Sequence, residues 1–149
     1  MRAVIQRVSE ARVAVGGRSV GEIGTGLVAL VGVAMGDRTA QATWLGERLA
    51  NLRIFPKGDA DMDASLLDVG GAALVVSQFT LYGDVRKGRR PSFLRAARGP
   101  EAEPVFDTVV TTLRDLGIEV ATGEFGSMME VTLTNAGPCT ILVDGDKAF

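Results

Sequence analysis

The chain has 149 residues, 46% of them apolar and 23% charged, with no histidine and one cysteine. That mixture excludes a mostly disordered chain, a coiled coil and a collagen-like fibre, and the length suits one domain over residues 1–149. The formal net charge of −2 hides an asymmetry: residues 84–98 carry six basic side chains against one acid, whereas the rest of the chain is net −7.

Two absences narrow the chemistry. Without histidine, every Ser-His, Cys-His and His-metal mechanism is excluded. The single cysteine, Cys139, can form neither an internal disulfide nor a cysteine metal site alone, and a free thiol suits a reducing compartment. The first residues, MRAVIQRVSEARVAV, intersperse basic with apolar side chains and lack the apolar block of a signal peptide. The longest mostly apolar run, residues 26–35, is too short to span a bilayer. A cytoplasmic protein is expected.

In chain order, residues 1–34 read as strands. A first strand ends at Gly16-Gly17, a hairpin turn, and residues 18–23 return. Gly24-Thr25-Gly26 reads as a second turn, and residues 27–33 as a buried strand. Asp37 is a candidate cap for a helix over 39–52, where Ala42, Leu45, Leu49 and Leu52 share one face. Residues 55–59, FPKGD, open a polar loop. Residues 72–81, AALVVSQFTL, read as the second strong strand, followed by the basic loop GDVRKGRRPS. A helix over 101–116 ends at Gly117 in the position glycine favours, and short strands are expected at 118–122, 129–134 and 140–143. The expected order is β-β-β-α-β-α-β-β-β, a mixed α/β domain with mostly antiparallel sheet and two helices.

Three segments are candidates for chemistry. Strand alternation sets Ser77, Phe79 and Leu81 on one face and Gln78 and Thr80 on the other, so two polar groups share a face of an apolar strand. That pattern fits a half-exposed strand end or a site. Asn135-Ala136-Gly137-Pro138-Cys139-Thr140 lies between two β-like runs, and a proline there requires a bulge, a turn or an edge. The basic stretch, with Arg86, Lys87, Arg89 and Arg90, is either a solvated loop or a local phosphate-binding patch.

Over essentially its whole length the sequence resembles the D-aminoacyl-tRNA deacylases of the bacterial and eukaryotic type. The resemblance rests on MRAVIQRVSEARV, NLRIFP, VVSQFTLYGDVRKGRRPSF and TGEFGSMMEVTLTNAGPCT. The family's S-Q-x-x-L motif matches at Ser77, Gln78 and Leu81, and its N-x-G-P-x-T motif at Asn135, Gly137, Pro138 and Thr140. The chain departs from the family pattern at Ala136, Cys139 and Ser127.

The resemblance implies a homodimer with its active site at the subunit interface, no metal and no other cofactor. It implies a cis Gly137-Pro138 peptide inserted into the partner's pocket, where rigid backbone rejects L-amino acids. The implied reaction hydrolyses the ester between a D-amino acid, or mischarged glycine, and tRNA. The implied chemistry uses the substrate's own 2′-OH and backbone N–H groups near Gln78, Phe79 and Thr80. A Thr80 nucleophile is the alternative within that reading. A noncatalytic RNA- or nucleotide-binding module is the alternative to it. The basic loop would hold tRNA phosphates in either case.

Overall fold

The computed structural model describes residues 1–148. Its organising element is β1 (Arg2–Val15), a 14-residue strand paired along both edges. On one edge it runs antiparallel to β8 (Glu130–Asp144), from Arg2 opposite Asp144 to Ala14 opposite Glu130. On the other it pairs first with β3 (Gly26–Gly32) and then with β2 (Arg18–Ile23). Val8 lies opposite Gly26 and Ala11 opposite Ile23, so both strands advance by three residues across the junction. Gly24-Thr25 is therefore a bend within one long return arm, and the chain does not reverse there as the sequence had suggested. Gly26 suits that bend because a side chain on it would overlap the Ala72 carbonyl.

Beyond β3 the sheet turns parallel: β6 (Ala72–Ser77) runs alongside β3, and β7 (Val120–Thr122) alongside β6. The crossovers contain α1 (Thr39–Asn51) and α3 (Gly99–Asp115). Antiparallel pairs still outnumber parallel ones, four to two. Two helices were expected and three form among the described residues. The polar loop expected after residue 55 is instead a small hairpin, β4 (Phe55–Lys57) with β5 (Ala60–Ala64), followed by the single-turn α2 (Leu66–Val69). Ser65 caps α2 by accepting the Asp68 N–H at 3.1 Å. The two strands expected at 129–134 and 140–143 are one strand, β8, with irregular register around Asn135.

Both faces of β3 and β6 are covered. Leu27, Ala29, Val31, Ala73 and Val75 face α1 and α3, joining Leu45, Leu49, Val109 and Leu113 in the larger core. Val28, Leu74 and Val76 face the opposite way and pack with Val8, Ala11, Val13 and Ile23, where the far half of the β1–β2 arm curls over the sheet. Double burial explains why these strands read as unbroken apolar runs. Asp37 does not cap α1. It accepts the Ala34 N–H at 2.7 Å and pairs with the Met1 ammonium at 3.0 Å, while the Gln41 side chain accepts the Arg38 N–H at the helix start. No helix of the described residues is long and apolar enough to cross a membrane.

The α1–α3 crossing depends on Gly46, where an added Cβ would lie 2.7 Å from the Thr112 Cβ. Gly46→Ala gains helix propensity but forces the helices apart. We expect a net loss of about 1–2 kcal/mol in urea unfolding, since overpacking typically costs about 1–3 kcal/mol. Gly46→Ala combined with Thr112→Ser should recover part of it.

Candidate active site

Strand β6 ends at Ser77, opposite Val31, and the Gln78 N–H donates to the Val31 carbonyl at 2.8 Å. The chain then tightens into a 3-10 turn, Phe79–Tyr82. The strand expected to reach Leu81 thus stops four residues early, and the two-face alternation proposed for Ser77 to Leu81 does not exist. The turn instead places Ser77, Gln78, Phe79 and Thr80 side by side on the wall of one cavity of about 630 Å³. The strand ends at Val31, Val33 and Val76, Ala97 and the start of α3 (Gly99, Ala102), the segment Phe125 to Met129 and Val131 of β8 complete the lining. This cavity sits beyond the carboxyl ends of β3 and β6, where α/β sheets commonly bind ligands.

The turn leaves donors unused. Leu81 N–H donates to the Gln78 carbonyl at 3.3 Å and Gly83 N–H to that of Thr80 at 2.9 Å. The N–H groups of Phe79 and Thr80 have no acceptor among the described residues, as expected at the start of a helical turn. Two adjacent unsatisfied N–H groups on residues that line a cavity suit a developing oxyanion. The Gln78 side-chain amide donates to the Thr80 hydroxyl oxygen. An amide side chain is no general base, and among the described residues no carboxylate contacts that hydroxyl. Leu81 is half-buried and outside the lining.

Gly137 and Pro138 do not line this cavity. They are exposed, joined by a cis peptide, and form an excursion in β8. Asn135 ties the base of the excursion. Its side-chain oxygen accepts the Cys139 N–H at 2.6 Å, and its nitrogen donates to the Cys139 carbonyl and the Thr140 hydroxyl, both at 3.1 Å. Arg7, which sequence reasoning missed, braces the same excursion. Its guanidinium donates to the Ala136 carbonyl at 2.7 Å and to the Ile54 carbonyl at 2.6 Å, which ties the excursion to the β4–β5 region. The hint in the sequence was an arginine set among the apolar residues of a strand.

The basic loop begins beside the turn. Asp84 and Ser92 exchange two backbone hydrogen bonds of 2.8 and 2.9 Å and close the segment between them. Arg86 is not free to meet a ligand unaided: its N–H and guanidinium both bond the Asp84 carboxylate, holding that carboxyl well below its ordinary value. Lys87, Arg89 and Arg90 are exposed and show no ion pair among the described residues. Phe93 stacks edge-on against Phe79 with centroids 5.0 Å apart, so the loop's root touches the cavity wall. No group of three or more Cys, Asp and Glu among the described residues is placed to hold a metal ion.

Residues 4–144 match the family described as D-Tyr-tRNA(Tyr) deacylase. D-aminoacyl-tRNA deacylase of Symbiobacterium thermophilum is 55% identical over 149 residues, covering 100% of this chain and 99% of that one. Its counterpart in Thermus aquaticus is 52% identical over 147 residues, 99% and 97% of the two chains. A solved structure described as c-Myc DNA unwinding element binding protein superposes with a TM-score of 0.89 at 34% identity, over 97% of this chain and 98% of the other. At 17% identity, a structure described as a probable eukaryotic D-amino acid tRNA deacylase shares the fold, with a TM-score of 0.83 over 95% and 97%. The chain belongs to the D-Tyr-tRNA(Tyr) deacylase family.

Asn135 provides a direct test of the excursion. Asn135→Ala leaves the buried Cys139 N–H without an acceptor, which should lower unfolding free energy by about 1–3 kcal/mol. Asn135→Asp keeps the acceptor but gives up the donor to the Cys139 carbonyl, so it should recover only part of that loss. Equal losses in chemical denaturation would show that the acceptor oxygen is not what holds the excursion.

Proposed function

We propose that this protein hydrolyses the ester of D-aminoacyl-tRNA, and of mischarged glycyl-tRNA, as a homodimer. The observation that carries the reading is the pair of unsatisfied N–H groups of Phe79 and Thr80 on the wall of a cavity with no titratable side chain in its lining. An aminoacyl ester is already activated, so positioning and charge stabilisation suffice for useful acceleration. Water attacks the carbonyl carbon. The carbonyl oxygen, becoming negative, takes the two N–H donors. The bond to the ribose 3′-oxygen then breaks, and that oxygen ends with a proton from the attacking water. The neighbouring 2′-OH orients the water. Gln78 holds the Thr80 side chain, and Ser77 ends the strand at the cavity wall.

Stereochemical selection follows from the excursion. Gly137 and Pro138 are exposed and absent from their own chain's cavity, which supports their entry into a partner's cavity. Backbone placed where an L side chain would project rejects that configuration, while glycine and D residues fit. Arg7 and Asn135 give that backbone its fixed position. Lys87, Arg89 and Arg90, at the loop joined to the cavity through Phe93, meet tRNA phosphates.

Incubating D-Tyr-tRNA with nanomolar protein tests the reading directly: turnover supports it, and binding without ester loss points to a noncatalytic nucleic-acid module. Arg89→Ala with Arg90→Ala should weaken tRNA binding and reduce the slope of log affinity against log salt by about 1 for each residue. An unchanged slope would remove the loop from the RNA interface. Gly137→Ala places a methyl 2.7 Å from the Arg7 guanidinium and so shifts the excursion. In a dimeric Gly137→Ala protein, the ratio of D-Tyr-tRNA to L-Tyr-tRNA hydrolysis should fall. A wild-type ratio at a wild-type rate would rule the dipeptide out as the chiral filter.

A further inference from the structure

The 3-10 turn that carries the two donors is short, and its own hydrogen bonds are few. Something outside it must fix where the Phe79 and Thr80 N–H groups lie. The turn sits on Gly32 at the end of β3: a Cβ there would come within 3.1 Å of the Gln78 carbonyl, 3.2 Å of the Leu81 Cβ and 3.3 Å of the Tyr82 ring. Directly opposite Gly32 on the neighbouring strand is Arg2, and opposite Arg2 on its other side is Asp144. The Arg2 guanidinium donates to the Asp144 carboxylate at 2.8 Å and, through its other arm, to the Leu81 carbonyl at 3.1 Å. It also lies over the Tyr82 ring, 4.7 Å from the centroid. Asp144 is 7% exposed, and its own position is fixed by the Asp146 N–H at 2.8 Å.

We propose that Arg2 is a positioning residue for the deacylation reaction. Anchored by Asp144 at the end of β8, it holds the Leu81 carbonyl and Tyr82 ring, and thereby sets the turn whose Phe79 and Thr80 N–H groups receive the oxyanion. The guanidinium suits this task because its planar fork can serve a carboxylate and a carbonyl at once while its face lies over the ring, whereas a lysine ammonium is a compact point charge without that plane. The arrangement links the first strand, the last strand and the cavity wall through one side chain. The inference rests on the proposed role of the turn, and it separates positioning from binding. Arg2 lies outside the cavity lining, so its loss misplaces the donors without removing a contact to the substrate.

The experiment compares Arg2→Met, Arg2→Lys, Asp144→Asn and the Arg2→Met/Asp144→Asn double variant with the wild type. Two readouts are used: steady-state hydrolysis of D-Tyr-tRNA, and amide hydrogen exchange of the folded proteins. Arg2→Met should lose about 10- to 100-fold in kcat, the scale of a misplaced catalytic group, with KM unchanged. Arg2→Lys should be intermediate, and the double variant no slower than Arg2→Met, because the two side chains act as a unit. In Arg2→Met, exchange at the Leu81 and Gly83 amides should speed up while the amides of Ala29 and Val31 in β3 stay at wild-type rates. Wild-type kcat in Arg2→Met overturns the proposal, as does exchange that quickens equally in β3. Should the wild type itself release no D-tyrosine, the deacylase reading falls, and the exchange pattern alone decides whether Arg2 holds the turn.

Discussion

The fold depends on the double pairing of β1. A strand that uses both edges over 14 residues must accommodate β8 on one side and the β2–β3 arm on the other. Its near half then lies flat in the sheet that receives β6, and its far half curls over the second face, where Val8, Ala11 and Val13 close the smaller core. The pairing also spans the chain from end to end, Arg2 against Asp144. The excursion, the strut between first and last strands and, through Val131, part of the cavity lining all rest on β8 and its pairing with β1.

The cavity wall is shaped by backbone as much as by side chains. A parallel strand ends, a tight turn begins, and the geometry of the turn start leaves two N–H groups without acceptors. Side chains then act indirectly. Gln78 bonds Thr80, Phe93 packs edge-on against Phe79, and Arg7 and Asn135 secure an excursion that lies outside the lining of this cavity. In a chain without histidine, the free donors on these lining residues come from the peptide group itself.

Much of this was legible in the sequence. Hydrophobic periodicity located α1 and α3, Gly117 marked the end of α3, and the buried runs of β3 and β6 stood out because both faces are covered. The candidate residues Ser77, Gln78, Phe79 and Thr80 meet at one cavity, whereas Leu81 of the motif stays outside its lining. Other features depend on partners remote in sequence. Gly24-Thr25 carries turn residues, yet pairing with β1 on both sides keeps the arm in register. The β4–β5 hairpin is polar because four of its five β5 positions face solvent at least in part, and α2 is too short to show a period. Alternation ran past Ser77 because a 3-10 turn of apolar residues mimics a strand over a few positions. Arg2 and Arg7 looked like scattered charges on a strand, and only the fold reveals the carbonyls they hold.

The outer edge of β8 has a consequence of its own. Among the described residues this 15-residue strand pairs with β1 alone, which leaves a long row of backbone groups along its far side, with Val131 and Leu142 exposed on it. Edges of that length invite extraneous strands and are a common start of aggregation. Pro138 lacks an N–H, and the register slips around Asn135, so the row is broken near its middle into two stretches that an added strand cannot follow in one register. The residues that shape the excursion thereby also interrupt an open edge that would otherwise offer one continuous row to an added strand.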